Sequence, residues 1–184
     1  MNRQEAWSLL VASLKQENLV KHCLATEAIM RALAKELGRD VESWGIAGLL
    51  HDLDFEATKD EPHRHTLRTA EILSEKGLTE EIIQAIKAHN AEALGLTRTG
   101  DMDYALSAAE ALTGLIVAAA LVLPDKKLSS LKPQSILRRM KEKAFARNVN
   151  REAILECEKM GLSLERFVEL SLKAMQGISR ELGL

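Results

Sequence analysis

The segment Trp44-Gly45-Ile46-Ala47-Gly48-Leu49-Leu50-His51-Asp52 decides how this chain folds. A run without a charge ends on an imidazole and a carboxylate side by side. Two ionisable groups there are costly in a core unless something binds them. The adjacent pair also supplies two metal-ligand types from one stretch of backbone, and divalent hydrolytic metals accept such mixed N/O sets. The competing reading is a chance His-Asp pair at a helix end, satisfied by hydrogen bonds. Taken alone the dipeptide favours that reading; the spaced His22, His65 and His89 tip it the other way.

Outward from this segment the pattern is helical. Helices read over about 3–15, over 17–37 with Gly38 as the stop, and over about 41–53. The second carries Leu24, Ala28, Met30, Leu33, Ala34 and Leu37 at helical spacing. Residues 54–62 read as a loop, and His63 or His65 opens a fourth helix ending near Gly77. Thr79 caps a fifth with early acids at Glu80 and Glu81, reaching about His89. Residues 91–100 read as a loop. A long helix follows from Asp101 or Asp103 to about Leu123, stopped by Pro124, and the last three helices read over 135–145, 151–159 and 164–182. No segment alternates with period two, so the chain reads as all-α.

Composition agrees. At 184 residues the chain can bury a sizeable core, and with aromatics at only 3% that core is built from Leu, Ile, Val, Ala and Met. This suits helix-on-helix packing better than a β-sandwich. A net charge of -2 gives no global drive toward nucleic acid or an anionic membrane. Cys23 and Cys157 lie far apart with no CxxC spacing, so no disulfide framework is expected and a reducing cytoplasm is the expected home. The first residues show no signal-peptide pattern. The longest apolar run, 111–123, is broken by Thr113 and Gly114 and is shorter than the roughly 20 residues that span a bilayer. It reads as a buried core helix. No repeat, low-complexity segment or domain boundary stands out.

Each candidate ligand falls on a different predicted helix, apart from the adjacent pair. His22 is in the second, His51 and Asp52 close the third, His65 begins the fourth, His89 ends the fifth and Glu110 lies inside the long one. Helix bundles build metal sites from inward-pointing side chains in this way. Glu110 sits among Ala108, Ala109, Ala111, Leu112, Leu115 and Ile116, so it is expected to face the interior, where a carboxylate needs a cation or a donor. The competing reading pairs it with an Arg or Lys, or leaves it at an exposed edge. For His89 the alternative is a histidine at a helix C-terminus interacting with the dipole. For His65 it is a solvated residue beside His63 and Arg64.

The ordered set resembles the HD-domain superfamily of metal-dependent phosphohydrolases, whose pattern is His, then His-Asp, then a distant Asp, all on helices. The matching stretches here are Lys21-His22-Cys23, Leu49-Leu50-His51-Asp52-Leu53-Asp54 and Ala108-Ala109-Glu110-Ala111-Leu112-Thr113-Gly114-Leu115. The chain is most similar to a subgroup of small stand-alone bacterial HDIG-type proteins, on His51-Asp52-Leu53-Asp54-Phe55-Glu56, Ala85-Ile86-Lys87-Ala88-His89-Asn90 and Lys143-Ala144-Phe145-Ala146-Arg147. The resemblance spans about residues 20–175. It implies one HD-type domain over 1–184, with a ligand-bearing core at about 17–123 and C-terminal helices at about 124–184.

The resemblance further implies a divalent metal (Fe, Mn, Zn, Co, Ni or Mg), one or two ions. His22, His51, Asp52 and Glu110 would serve the first. His65 and His89, with Asp52 as the bridge, would serve a second. Glu110 stands where the family usually has Asp, so its carboxylate reaches one methylene further. The implied activity is hydrolysis of a phosphomonoester or phosphodiester, for instance of a nucleotide; the alternative is a metal-containing module that senses a small phosphorylated ligand without turnover. Asp54 and Glu56 are candidates, with Asp52, for the carboxylate chemistry, as proton acceptors; as plain solvated loop acids they are explained equally well. Lys143 and Arg147 lie four apart, on one face if their helix persists, and are candidates for binding phosphate. The other cations between Lys126 and Arg151 read as a solvated basic face. No Walker loop, GxGxxG, His-Glu-x-x-His or nucleophile-elbow serine is present.

Overall fold

A computed structural model describes every residue from Met1 to Leu184 and contains helices and turns but no strand. In chain order the helices are α1 (Arg3–Ser13), α2 (Glu17–Leu37), α3 (Val41–Leu50), α4 (Phe55–Thr58), α5 (Leu67–Glu75), α6 (Glu80–His89), α7 (Ala91–Leu94), α8 (Asp101–Leu121), α9 (Pro133–Met140), α10 (Arg151–Leu155), α11 (Leu164–Gly177) and α12 (Ser179–Leu182). The all-α reading holds.

Polar side chains at the ends set several boundaries. The Asn2 side chain accepts from the Glu5 N–H and Glu5 returns the bond, closing a capping box on α1. Asp40 caps α3 by accepting from the Ser43 N–H at 2.7 Å. Gly38 ends α2 at φ 64°, a left-handed conformation that costs glycine little. Thr79, expected to cap α6, makes no side-chain cap bond.

α2 and α3 pack against each other most closely. Gly45 and Gly48 are the reason. A Cβ on Gly48 would lie 2.9 Å from Met30 Cγ and 3.0 Å from the Glu27 backbone, and one on Gly45 would lie 2.6 Å from Arg31 Nε. Two glycines three residues apart therefore bring α3 onto α2, so that His51 reaches His22. The long α8 forms the other wall, touching α2, α6 and α10, and α11 closes over α2.

Several expectations change here. The segments read as loops over 54–62 and 91–100 hold the short helices α4 and α7, the helix expected from His63 or His65 starts at Leu67, and the helix read over 164–182 is broken at Ile178. α8 is long and apolar enough to cross a membrane by length and composition, contrary to the short run read in the sequence, but 67% of its apolar window is buried inside the bundle. The helix expected over 135–145 stops at Met140. The Arg151 guanidinium gathers the chain after it, donating to the carbonyls of Arg139, Met140, Glu142, Phe145, Ala146 and Val149. Lys143 and Arg147 are thus exposed residues of a compact loop and share no helical face.

Candidate metal centre

The structure gathers His22, His51, Asp52, His65 and His89, from α2, the α3 end, the α4–α5 loop and α6, into two ligand groups that share Asp52. In the first, Asp52 Oδ2 lies 3.5 Å from His51 Nε2 and 3.8 Å from His22 Nε2. In the second, Asp52 Oδ1 lies 3.2 Å from His65 Nε2 and 3.5 Å from His89 Nε2.

The tautomers follow from the partners of the other ring nitrogens. His51 Nδ1 donates to the Gly48 carbonyl at 2.8 Å and His89 Nδ1 to the Ile86 carbonyl at 2.6 Å. His65 Nδ1 donates to Asp54 Oδ1 at 2.8 Å. The Thr113 hydroxyl gives its proton to the Glu110 carbonyl, so at 2.9 Å it accepts from His22 Nδ1. With each Nδ1 taken up by its outer partner, each ring in its neutral form turns the Nε2 lone pair inward. His22 Nε2 then stands 3.2 Å from His51 Nε2, and His65 Nε2 stands 3.1 Å from His89 Nε2. Acceptor facing acceptor at that range, with a carboxylate oxygen at each pair, is reconciled by a cation. The donor set fits a divalent metal with mixed N/O preference, and every ring is braced through its outer nitrogen, as metal-binding imidazoles are.

In the metal-free centre the electrostatics differ from ring to ring. Burial lowers the His51 imidazolium to about 3, so that ring is neutral and able to coordinate. Burial alone would raise the Asp52 carboxyl, but the surrounding imidazoles, His51 foremost, hold it well below the usual carboxylate range. Burial opposes protonation of His65 too, yet Asp52 and Asp54 on either side raise it to about 9, so without a metal this ring carries a second proton on Nε2, which a bound cation would displace.

Asp54 has a different place from the one expected. It is no solvated loop acid: Oδ1 accepts from His65 and the Thr66 N–H, and Oδ2 from the Thr69 N–H at 3.0 Å. These bonds hold it below its ordinary value against the effect of burial. With its oxygens so engaged it orients His65 and is a poor proton acceptor. Glu56 departs as well: its carboxylate accepts the Lys15 and Gln16 N–H groups at 2.9 and 2.7 Å, fastening the α1–α2 link.

Glu110 stands at the rim of the first group, 4.0 Å from His22 Nε2 and 31% exposed. The apolar helix around it raises its carboxyl against the pull of His89 and His22. The proposed pairing with a basic residue is absent there. The contrast is Glu27 on α2, whose buried carboxylate accepts from both Arg3 and Arg31.

Sequence reasoning passed over three supports. Thr113 holds His22 from the opposite helix; its signal was a hydroxyl interrupting an apolar run. Asn90 ties the His65 loop down through the carbonyls of Pro62 and His65. Thr66 adopts φ 76°, a left-handed conformation unusual for a branched residue, which aims its N–H at Asp54.

Comparison with known proteins adds a family. The HD domain profile matches residues 19–122. Ribonuclease Y of Lawsonia intracellularis is 33% identical over 76 residues, 41% of this chain and 15% of that protein. Ribonuclease Y of Thermosipho melanesiensis is 36% identical over 76 residues, again 41% and 15%. Ribonuclease Y of Protochlamydia amoebophila is 27% identical over 139 residues, 74% of this chain and 26% of that protein. No solved structure matches the chain.

Proposed function

Because this chain belongs to the HD-domain family, we propose that it is a metal-dependent phosphohydrolase cleaving a phosphomonoester or phosphodiester of a small organic molecule, nucleotides among them. The observation that carries the reading is the pair of inward-facing Nε2 contacts at 3.2 and 3.1 Å, with Asp52 spanning both. A divalent cation bound there lowers the pKa of its water from about 15.7 toward 7 and polarises a phosphoryl oxygen.

The chain's own residues then divide the remaining work. Asp52 offers one oxygen to each histidine pair and fixes their separation. Asp54 holds the proton of His65 Nδ1, so that Nε2 is the nitrogen this ring would offer to a metal. Glu110 is the carboxylate of the centre with no hydrogen bond from the chain, and we assign it as the further donor to the first group. The loop holding Lys143 and Arg147 rests on α8, where Val149 Cγ2 would lie 3.4 Å from a Cβ on Gly114, one turn beyond Glu110. This supports a role for the two cations in drawing a phosphorylated ligand to that flank.

The relatives' name keeps phosphodiesters within the reading. The chain covers only 15% of the length of the first of them, so cleavage of RNA is not carried over. A second reading, a sensor that binds without turnover, is favoured by the stand-off and exposure of Glu110. One experiment separates them: chelator-free protein, assayed for metal and then for release of phosphate or alcohol from an ester panel with added manganese. Product that disappears in His51→Ala supports the hydrolase. Ligand binding without product supports the sensor, and activity untouched by His51→Ala sinks the assignment of this centre.

A further inference from the structure

One member of the metal-ligand cluster, His22, also lines a cleft of about 510 Å³. From Glu110 onward, beside Ala118, α8 carries a stripe of less buried residues, Glu110, Gly114, Val117 and Leu121, spaced i, i+4, i+7 and i+11. The last three line the cleft. Facing them is the stripe Asn18, Lys21, His22 and Ala25 of α2. The third wall is the chain after α11, Leu182, Gly183 and Leu184. His22 therefore belongs to both cluster and cleft. From Glu110 to Leu121 the stripe is ~16 Å long at 1.5 Å per residue, enough for a small organic ester and short for a polymer.

The chemistry of the walls is uneven. Ala25, Val117, Leu121, Leu182 and Leu184 make them mostly aliphatic. The Thr113 hydroxyl is spent on His22 and Glu110. That leaves Asn18 and one ammonium, Lys21, which precedes His22 by one residue. Its partner Glu17, at 2.7 Å, is 80% exposed and a weak competitor for an anion. Beyond Val117 the cleft ends at Leu121, an exposed leucine next to the exposed Val122.

We infer that this cleft is the pocket for the organic half of the substrate: it takes a phosphate ester whose alcohol portion is apolar, with Lys21 binding a phosphate oxygen beside His22 and Val117 and Leu121 covering the apolar body. The inference rests on the phosphohydrolase reading and narrows its substrate class.

Binding to manganese-loaded protein tests it, the two phosphonates being proof against hydrolysis and ribose 5-phosphate, a cleavable ester, being read at early times as a competitor of naphthylphosphonate. The probes are methylphosphonate, naphthylphosphonate and ribose 5-phosphate, followed by calorimetry, with bound metal measured in parallel. Naphthylphosphonate is expected to bind at least about tenfold more tightly than methylphosphonate, since burying an aromatic ring is strongly favourable. Val117→Trp, which fills the cleft, and Leu121→Asp, at an exposed position the fold tolerates, should each erase that preference while metal content and methylphosphonate affinity hold. Lys21→Gln should weaken both phosphonates alike. Equal affinity for the two phosphonates, tighter binding of ribose 5-phosphate, or a preference that survives both cleft variants overturns the pocket and leaves the hydrolase reading standing. Failure of every probe to bind overturns both.

Discussion

The two halves of the centre share one device, a ring at a helix end whose Nδ1 donates to the carbonyl three residues back (His51 and His89), and differ in how the other ring is held. His22 and His51 stand on or at the end of long, tightly packed helices, and their outer nitrogens meet a hydroxyl and a carbonyl of that scaffold. His65 stands in a loop between α4 and α5 and is held by a carboxylate, a left-handed Thr66 and the Asn90 amide. The first half also meets the cleft, through His22 alone, which keeps 24% exposure while its neighbour His51 is fully buried; His65 and His89 keep 12% and 6%. Regular packing positions a ligand with neutral partners. A loop needs a charged brace, and the enclosed half is the one that has it. On this account the open half is where a ligand arrives and the braced half is where the geometry is most vulnerable.

The harshest test of the comparison removes what the halves share. Asp52→Ala should strip both metal positions and lower hydrolysis by more than about 100-fold, since losing a ligand exceeds the 10–100-fold effect of losing a supporting hydrogen bond. Metal analysis by mass spectrometry alongside an ester assay checks it. One full equivalent of metal retained would show that the halves do not depend on a common carboxylate.

Asp54→Asn comes next and acts on one half only. The amide keeps one acceptor oxygen, so its NH2 group must oppose either His65 or the Thr69 N–H. Metal affinity of the enclosed half should fall by roughly 10–100-fold while the open half titrates as before. A uniform loss across both positions would contradict the division of labour.

Acidity separates the halves without any substitution. In metal-free protein His65 is raised to about 9, so its stabilising contribution is complete below the unfolded value near 6.5 and is lost as pH rises toward 9. His51 is lowered to about 3 and is neutral when folded, so stability is lost as pH falls below about 6.5 and the unfolded ring takes up a proton. Stability of the stripped protein should therefore peak near pH 6.5, falling on each side by up to about 1.4 kcal/mol per pH unit. Urea midpoints from pH 5 to 9 measure it. A monotonic profile would mean that the two rings do not sit in opposite environments.

How much of this was readable in the sequence follows the same divide. α2 and α6 end where periodicity and their flanking residues place them. The ligand types were legible because the chain has few histidines and spaces them over separate segments, one beside an aspartate. What was not legible depends on partners distant in sequence. Asp54 looks like any loop acid until Thr66 and Thr69 come back to it. Glu56 does so until the α1–α2 link arrives 40 residues away. The helix expected through Lys143 fails because Arg151, beyond it, gathers its carbonyls. The grouping of Val117 and Leu121 with Lys21 requires the antiparallel pairing of α2 and α8, which periodicity alone does not specify.

Thr113 offers the finest cut. It is the open half's counterpart of Asp54, a single atom that accepts from His22 Nδ1 at 2.9 Å while donating to the Glu110 carbonyl. A hydroxyl is a weaker acceptor than a carboxylate, and the helix positions His22 in any case. Thr113→Val keeps the shape, removes the acceptor and leaves His22 free to move its proton to Nε2. Metal affinity at the open half should fall by less than about tenfold, below the effect at Asp54, because neutral hydrogen bonds contribute roughly half as much as charged ones. Thr113→Ser should restore wild-type affinity, since it returns the oxygen without the methyl group. A Thr113→Val loss as large as that of Asp54→Asn would show that the helical scaffold does not hold His22 by packing, and the contrast between the halves would be one of degree.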